Sequence, residues 1–220
     1  MQDGQNLFDP QASFAGVAWQ ADETAQQLIL KKKIDPLIIV AIDNTSDRMD
    51  EYTPVRSRRG RGAYGGRADD YGRMLVEELK PFIDETYRTL PQREFTGVGG
   101  SSLGGLFALH MGFTRSDVFG RIAAISPSAW WAGGFILREA AALPERLPLR
   151  IWLDMGKGEG RYFLTQTRTL QDILRGKGWQ KNRRAALADL RYLEAPKGRH
   201  DEFSWGARFD KVLKFLYPRI

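Results

Sequence analysis

A serine flanked by glycines is the first place in this sequence where chemistry could occur. Residues 100–104 read Gly-Ser-Ser-Leu-Gly and fit the pattern G-x-S-x-G around Ser102, whereas Ser101 does not fit it. A chain of this length shows the pattern by chance on the order of one time in ten. Residues 95–100 predict a strand, however, and a helical pattern begins at Leu103. Strand, tight turn and helix are typical of a nucleophile elbow, so Ser102 is predicted to be a nucleophile.

A serine nucleophile needs a general base, and the sequence offers two histidines. His110 follows Ser102 on the same predicted helix, roughly 12 Å further along an axis that rises about 1.5 Å per residue. It is too far away to act, and its apolar neighbours predict a packed position. His200 follows the last predicted strand, and sites of open α/β sheets form in the loops at that edge. We therefore expect His200 to be the base.

The base in turn needs a carboxylate that orients it, and two candidates follow the strand predicted at 149–154. Asp154 ends that strand and is equally able to cap the loop. Glu159 stands further out, between glycines that let the loop curl toward His200. The chain order nucleophile, acid, histidine is the order of α/β-hydrolases with either residue. Position alone favours neither.

The elements that must position these side chains alternate along the chain. Alternating strands and helices predict an α/β fold with a mostly parallel sheet, helices on both faces and a single domain over 1–220. The first strand is a continuous, β-branched apolar run, which predicts burial on both faces. Strands are predicted over 36–43, 95–100, 121–126, 149–154 and 190–195, and helices over 70–87, 103–113, 163–177 and 209–217.

Composition excludes several kinds of protein. The chain has no cysteine, which excludes disulfides, thiolate nucleophiles and cysteine-ligated metals. It has no apolar run long enough for a transmembrane helix, so no membrane partner is expected. The net charge of +6 is concentrated at 56–67, which predicts a solvated, mobile loop. That segment lacks a repeated aromatic pattern for stacking bases, so no nucleic-acid partner is expected.

Four segments taken together resemble the Putative esterase family of α/β-hydrolases. This family includes feruloyl esterases, enterochelin-type siderophore esterases, S-formylglutathione hydrolases and mycolyltransferases. The resemblance spans nearly the whole chain and implies an α/β-hydrolase fold, a small-molecule ester as substrate, and neither a metal nor another cofactor. The matching segments are Asp3-Gly4-Gln5-Asn6-Leu7-Phe8, Leu79-Lys80-Pro81-Phe82-Ile83 with Tyr87-Arg88, Gly99-Gly100-Ser101-Ser102-Leu103-Gly104-Gly105 and Gly198-Arg199-His200-Asp201.

The resemblance also implies roles for individual residues. The family's acid lies in the loop after its strand, a few residues past a glycine, and this position is Glu159 here, which leaves Asp154 as the alternative. The family's oxyanion hole uses two backbone amides, which correspond to those of Leu103 and Gln5. Many members have histidine before the early Asp-Gly, whereas this chain has Gln2.

Tryptophans in two loops are candidates for a substrate pocket. Trp130 and Trp131 follow the strand predicted at 121–126, and Trp205 follows His200. These positions are compatible with two roles: the tryptophans line a pocket for an acyl or aromatic group, or they pack in the core. Two alternatives to ester hydrolysis stay open, namely acyl transfer by the same residues and a non-catalytic binding module of the same fold.

The start of the chain predicts an incomplete sheet. Residues 1–9 resemble a loop that leaves a strand, although no strand precedes them. In an α/β-hydrolase that strand lies beside the nucleophile strand, and its absence would leave backbone groups unpaired. We expect residues before Met1 in the natural protein, or a gap closed by rearranged strands or by a second copy in a homo-oligomer. No signal peptide follows Met1, so a cytoplasmic location is expected if Met1 is the natural start, and a secreted or periplasmic one stays open otherwise.

Overall fold

The computed structural model describes residues 1–59, 62–180 and 189–219, and its centre is a parallel four-stranded sheet. The strands in this sheet follow the order β3-β4-β5-β6, and β1 and β2 form a separate antiparallel hairpin. The strands are β1 (Arg56–Arg59), β2 (Gly62–Gly65), β3 (Gly97–Ser101), β4 (Arg121–Ile125), β5 (Arg150–Gly156) and β6 (Leu190–Ala195).

Helices cover both faces of the sheet. Successive side chains of a strand point to opposite faces, so Ile122 packs with the core beneath α5 and α7, whereas Ala123 packs with the core beneath α1 and α8. This arrangement confirms the predicted α/β-hydrolase fold. The helices are α1 (Ala21–Leu30), α2 (Arg48–Glu51), α3 (Ala68–Met74), α4 (Lys80–Thr86), α5 (Leu103–Thr114), α6 (Trp131–Ala142), α7 (Arg161–Gly176) and α8 (Glu202–Leu216).

The predicted strand at 36–43 is wrong. Ile42 forms a single parallel bridge with Gln2, and Ile38 is 50% exposed. The run is apolar enough for a buried strand, but the segment beside it pairs with it only around that bridge. A strand needs a neighbour along its length, so this segment stays irregular and half-buried.

The first residues of the chain lie where the sequence predicted a gap. The amide of Gln2 donates to the carbonyl of Gly99 in β3 at 2.9 Å, and the amide of Ile42 donates to the carbonyl of Met1 at 3.0 Å. Met1 and Gln2 therefore bridge β3 and the segment around Ile42. Gly99 and Ile42, one on each side of the expected gap, thus have backbone partners within this chain.

The basic segment at 56–67, which was predicted to be a solvated, mobile loop, contains regular secondary structure. Residues 56–59 and 62–65 form the β1–β2 hairpin, in which Arg56 pairs with Gly65. Two contacts anchor the base of this hairpin to the body of the protein. The indole nitrogen of Trp131 donates to the carbonyl of Val55 at 2.8 Å, and Asp50 accepts from the amide of Gly65. Within the described ranges, no helix has the length and apolar character that a membrane crossing requires.

Candidate active site

Ser102 lies in a strained turn between β3 and α5. Its backbone has φ 56° and ψ −118°, a conformation that costs energy for any residue other than glycine. The turn is also crowded, since a Cβ at Gly100 would lie 3.0 Å from the Cα of Gly104. A Cβ at Gly104 would in turn lie 3.0 Å from the Cβ of Gln2. Packing thus favours the glycines of the motif, and the turn has the strand–turn–helix form of a nucleophile elbow.

The imidazole of His200 reaches this serine from the loop between β6 and α8. Its Nε2 lies 3.0 Å from the Oγ of Ser102. The ring meets the indole of Trp205 edge to face, with centroids 4.9 Å apart. Asp201 caps α8 by accepting from the amide of Ser204 at 2.7 Å, which fixes the end of the loop. The histidine is therefore held by the helix that follows it.

Glu159 contacts the other nitrogen of His200. Its Oε2 lies 2.6 Å from Nδ1, while its Oε1 accepts from the Oγ of Ser126 at 2.5 Å and from the amide of Gly156 at 2.8 Å. Burial by itself would raise the pKa of this carboxyl. The hydrogen bonds from His200, Ser126 and Gly156 outweigh burial and hold the pKa below its usual value. Glu159 is therefore a buried carboxylate that stays ionised.

Asp154, the alternative acid, serves a different partner. Its side chain is fully buried, and its two oxygens accept from the guanidinium of Arg208 at 2.8 and 3.0 Å. They also accept from the indole of Trp152 at 2.7 Å and from the amide of Ser126 at 3.0 Å. Of the two carboxylates left open by the sequence, the structure brings Glu159 to His200 and Asp154 to Arg208.

The loop that carries Gln5 is fixed through Asp3. The Asp3 backbone is left-handed, with φ 56°. Its carboxylate accepts from Arg48 at 2.6 and 2.7 Å and from the amide nitrogen of Asn44 at 2.7 Å. The backbone amide of Asp3 donates to the hydroxyl of Tyr52 at 3.1 Å. A short 3-10 turn, Gly4–Asn6, follows directly.

The residues around this turn lie close to the start of α5 and to the segment around Ile42. A Cβ at Gly104 would lie 3.6 Å from Oδ2 of Asp3. A Cβ at Gly4 would lie 2.5 Å from the backbone nitrogen of Ile42, so only glycine fits there. Asp3, two residues before Gln5, thus lies close to Gly104, the residue after Leu103.

Several side chains at the site were not found from the sequence. The Oγ of Ser128 lies 3.3 Å from that of Ser102, and its amide donates to the carbonyl of Ser102 at 2.9 Å. Ser126 and Ser128 stand in a loop that follows β4 at the predicted site edge, and this position could have identified them. Arg208 and Arg48 lie on helices distant in sequence from Ser102, and no motif marks either one.

The three predicted pocket tryptophans differ in exposure. Trp130 is half-buried and faces Phe163, with ring centroids 6.4 Å apart. Trp131 and Trp205 are only 3% and 5% exposed and pack inside the two cores. Trp130 is thus the one of the three that presents substantial surface. Its neighbours Phe163 and Tyr162, which are 36% and 58% exposed, were not selected from the sequence.

His110 is buried in the helical layer, as its neighbours predicted. Its Nδ1 lies 2.8 Å from Oε1 of Glu139, and its Nε2 lies 2.9 Å from Oδ1 of Asp69. Burial favours the neutral ring, but the hydrogen bonds and charges of Glu139 and Asp69 outweigh it and raise the pKa of His110. The residue links α3, α5 and α6 and does not contact Ser102.

Comparison with known proteins places this chain among esterases. Residues 1–216 match the model of a family described as "Putative esterase". The uncharacterized protein YbbA of Bacillus subtilis (strain 168) is 25% identical over 230 residues, which covers the whole chain and 84% of that protein. A siderophore enterobactin esterase of Emericella nidulans is 38% identical over 96 residues, which covers 41% of this chain and 31% of that enzyme. The crystal structure of the BES protein from Bacillus cereus aligns with a TM-score of 0.72 at 22% identity, covering 98% of this chain and 80% of that one.

Proposed function

The chain belongs to the Putative esterase family and is a carboxylic ester hydrolase, and we propose that it acts through a Ser102–His200–Glu159 triad and an acyl-enzyme intermediate. One observation carries the proposal. Hydrogen-bonding contacts run without a break from the Oγ of Ser102 through both nitrogens of His200 to the carboxylate of Glu159, at 3.0 and 2.6 Å. This is the arrangement in which a base removes the serine proton while a carboxylate stabilises the resulting imidazolium.

The reaction has two halves. Ser102 Oγ attacks the ester carbonyl as Nε2 of His200 takes its proton, and the tetrahedral intermediate then expels the alcohol, which receives that proton. Water attacks the acyl-enzyme in the same way, with His200 again as base, and releases the carboxylic acid. The negative oxygen of each intermediate is assigned to the backbone amides of Leu103 and Gln5. Losing one such donor typically costs roughly 3–4 kcal/mol of transition-state stabilisation.

Hydrolysis is favoured over acyl transfer by access to solvent. The side chain of His200 is 49% exposed, while that of Glu159 is only 2% exposed. Water can therefore approach the base directly, whereas the buried carboxylate keeps its charge out of solvent. An acyltransferase would need to bind an alcohol acceptor at this open face and keep water from it.

For the substrate, we propose a siderophore ester with an aromatic acyl group as the first candidate. The enterobactin esterase of Emericella nidulans supports this choice, although its aligned region is less than half of either chain. The surface beside Ser102 is consistent with an aromatic group. Ser128 contacts Ser102, and two residues further on Trp130 begins a partly exposed aromatic cluster with Phe163 and Tyr162.

Two experiments test the proposal. In the first, Ser102→Ala is compared with Ser101→Ala on p-nitrophenyl esters, methyl ferulate and a triscatechol siderophore. We expect Ser102→Ala to lose about 10⁴-fold or more in kcat, and Ser101→Ala to keep its activity. In the second, a fluorophosphonate probe should label Ser102 alone. Labelling of Ser101, or ester turnover by a pure preparation of Ser102→Ala, would refute the assignment of Ser102 as the nucleophile.

A further inference from the structure

Arg208 forms a buried charge network behind the triad. This residue of α8 is 3% exposed, and each of its three guanidinium nitrogens donates a hydrogen bond. It donates twice to the carboxylate of Asp154 and, through Nη1, to the carbonyl of Ser204 at 2.7 Å. Nη2 also donates to the Oγ of Ser126 at 2.6 Å. Asp154 takes one N–H of Nη2, and the hydroxyl of Ser126 takes the other, so the serine completes the hydrogen bonding of this nitrogen.

The contact to Ser126 gives its hydroxyl a direction. Since the Oγ of Ser126 accepts from Arg208, its single proton is available to donate to Oε1 of Glu159 at 2.5 Å. Glu159 in turn uses Oε2 for Nδ1 of His200. Arg208 therefore donates to Ser126, and Ser126 donates to the carboxylate of Glu159.

The backbone of Ser126 adopts a conformation that is energetically unfavourable for serine. Its φ is 42°, in the left-handed region that favours glycine, and the residue follows β4 directly. Its amide donates to Asp154, so the ion pair fixes the backbone as well as the hydroxyl. The guanidinium of Arg208 also lies 3.9 Å from Oε1 of Glu159, close enough to favour its ionised form.

We propose that Arg208 and Ser126 are positioning residues that hold the Glu159 carboxylate charged and aimed at Nδ1 of His200. Neither touches the reacting atoms, and both act only through Glu159. Asp154 takes part by fixing Arg208. The inference rests on the proposed triad and adds three residues to it that no motif identifies.

Ser126→Gly is the sharpest test, because it removes the hydroxyl and also relieves the left-handed backbone. We expect kcat per fluorophosphonate-titrated site to fall about 10- to 100-fold, since misplacing a catalytic group by about 1 Å costs on this order. KM should stay within about twofold, because the residue does not contact the substrate. Arg208→Lys, which keeps the charge but not the forked geometry, should give a similar loss.

A double-mutant cycle separates positioning from a general structural role. In a Glu159→Gln background, Ser126→Gly should change kcat less than about threefold, because residues that act as a unit are not additive. Lys32→Gly is the control for the backbone, since Lys32 has φ 54° in a loop away from the triad. Arg168→Lys is the control for the forked pair, since Arg168 binds Glu194 at 2.7 and 2.9 Å near the surface.

The outcomes distinguish this inference from the triad itself. Wild-type turnover by Glu159→Gln would overturn the triad and the inference with it. If kcat falls in Glu159→Gln but stays at the wild-type value in Ser126→Gly, the positioning role alone would be overturned. Losses that add fully in the double variant would do the same, because Ser126 would then act independently of Glu159.

Discussion

Replacing Glu159 by glutamine and Asp154 by asparagine should produce opposite kinds of damage. The two carboxylates are both buried and lie on the same strand and its following loop, so the variants are well matched. Glu159→Gln should lower kcat with little loss of stability. Asp154→Asn should lower the free energy of unfolding while leaving most of kcat per active site.

The expected loss for Glu159→Gln comes from its hydrogen bonds. Oε1 of Glu159 accepts from two donors, Ser126 and Gly156, so the amide oxygen of glutamine should take that place. Its NH2 group then faces Nδ1 of His200 and favours the tautomer that carries the proton on Nε2. That tautomer cannot accept the proton of Ser102. We expect kcat to fall about 10³- to 10⁴-fold, which is roughly 4–5.5 kcal/mol at about 1.36 kcal/mol per factor of ten.

The expected loss for Asp154→Asn comes from Arg208. Its guanidinium is buried and would lose the charge that compensates it, which costs roughly 3–5 kcal/mol when one partner of a buried pair is removed. Asparagine keeps one oxygen that accepts from Arg208, so the guanidinium stays beside Ser126 and kcat per titrated site should fall by less than about tenfold.

The assay combines p-nitrophenyl acetate turnover, active-site titration with a fluorophosphonate, and urea unfolding followed by tryptophan fluorescence. Titration separates slow sites from missing ones. A near-normal Glu159→Gln beside an Asp154→Asn that is crippled per titrated site would refute the assignment of the acid.

Three further predictions follow from the packing and the charges. Gly104→Ala places a Cβ 3.0 Å from that of Gln2, so urea unfolding should show a loss of about 1–3 kcal/mol, and an unchanged midpoint would contradict the crowding. Arg48→Met removes both hydrogen bonds to Asp3 and should lower kcat about 10-fold or more, because the loop that carries Gln5 becomes less ordered. Arg115→Met is the control, since its partner Asp117 lies in an exposed turn. The pKa of His110 is raised in the folded state, so the protonated ring stabilises the fold fully below the usual histidine pKa, and this contribution is lost as pH rises through the folded-state pKa. The difference in unfolding free energy between wild type and His110→Gln should therefore shrink above neutral pH. A constant difference from pH 5 to 9 would show that the ring does not titrate in this way.

The sequence by itself determined the elements whose signals are local. The strand before Ser102, the helix after it and the strands from 121 onward depend on apolar runs and glycines that are adjacent in the chain, and these predictions agree with β3 to β6 and α5. His110 could be excluded as the base from the sequence, because its distance from Ser102 along one helix is set by the number of residues between them. The close approach of Gly100 to Gly104 likewise follows from a turn contained within the motif, whereas the contact of Gly104 with Gln2 depends on the fold.

Tertiary structure decided what depends on partners far apart in the chain. The segment at 36–43 has the composition of a buried strand, but only Met1 and Gln2 adjoin it, so it does not become one. Asp154 and Glu159 could not be told apart by position, because Arg208 on α8 satisfies the first and His200 meets the second. Arg208 carries no motif, since its role exists only where α8 packs against the ends of β4 and β5. Local patterns fix the chemistry that a residue can offer, and packing fixes the partner that it meets.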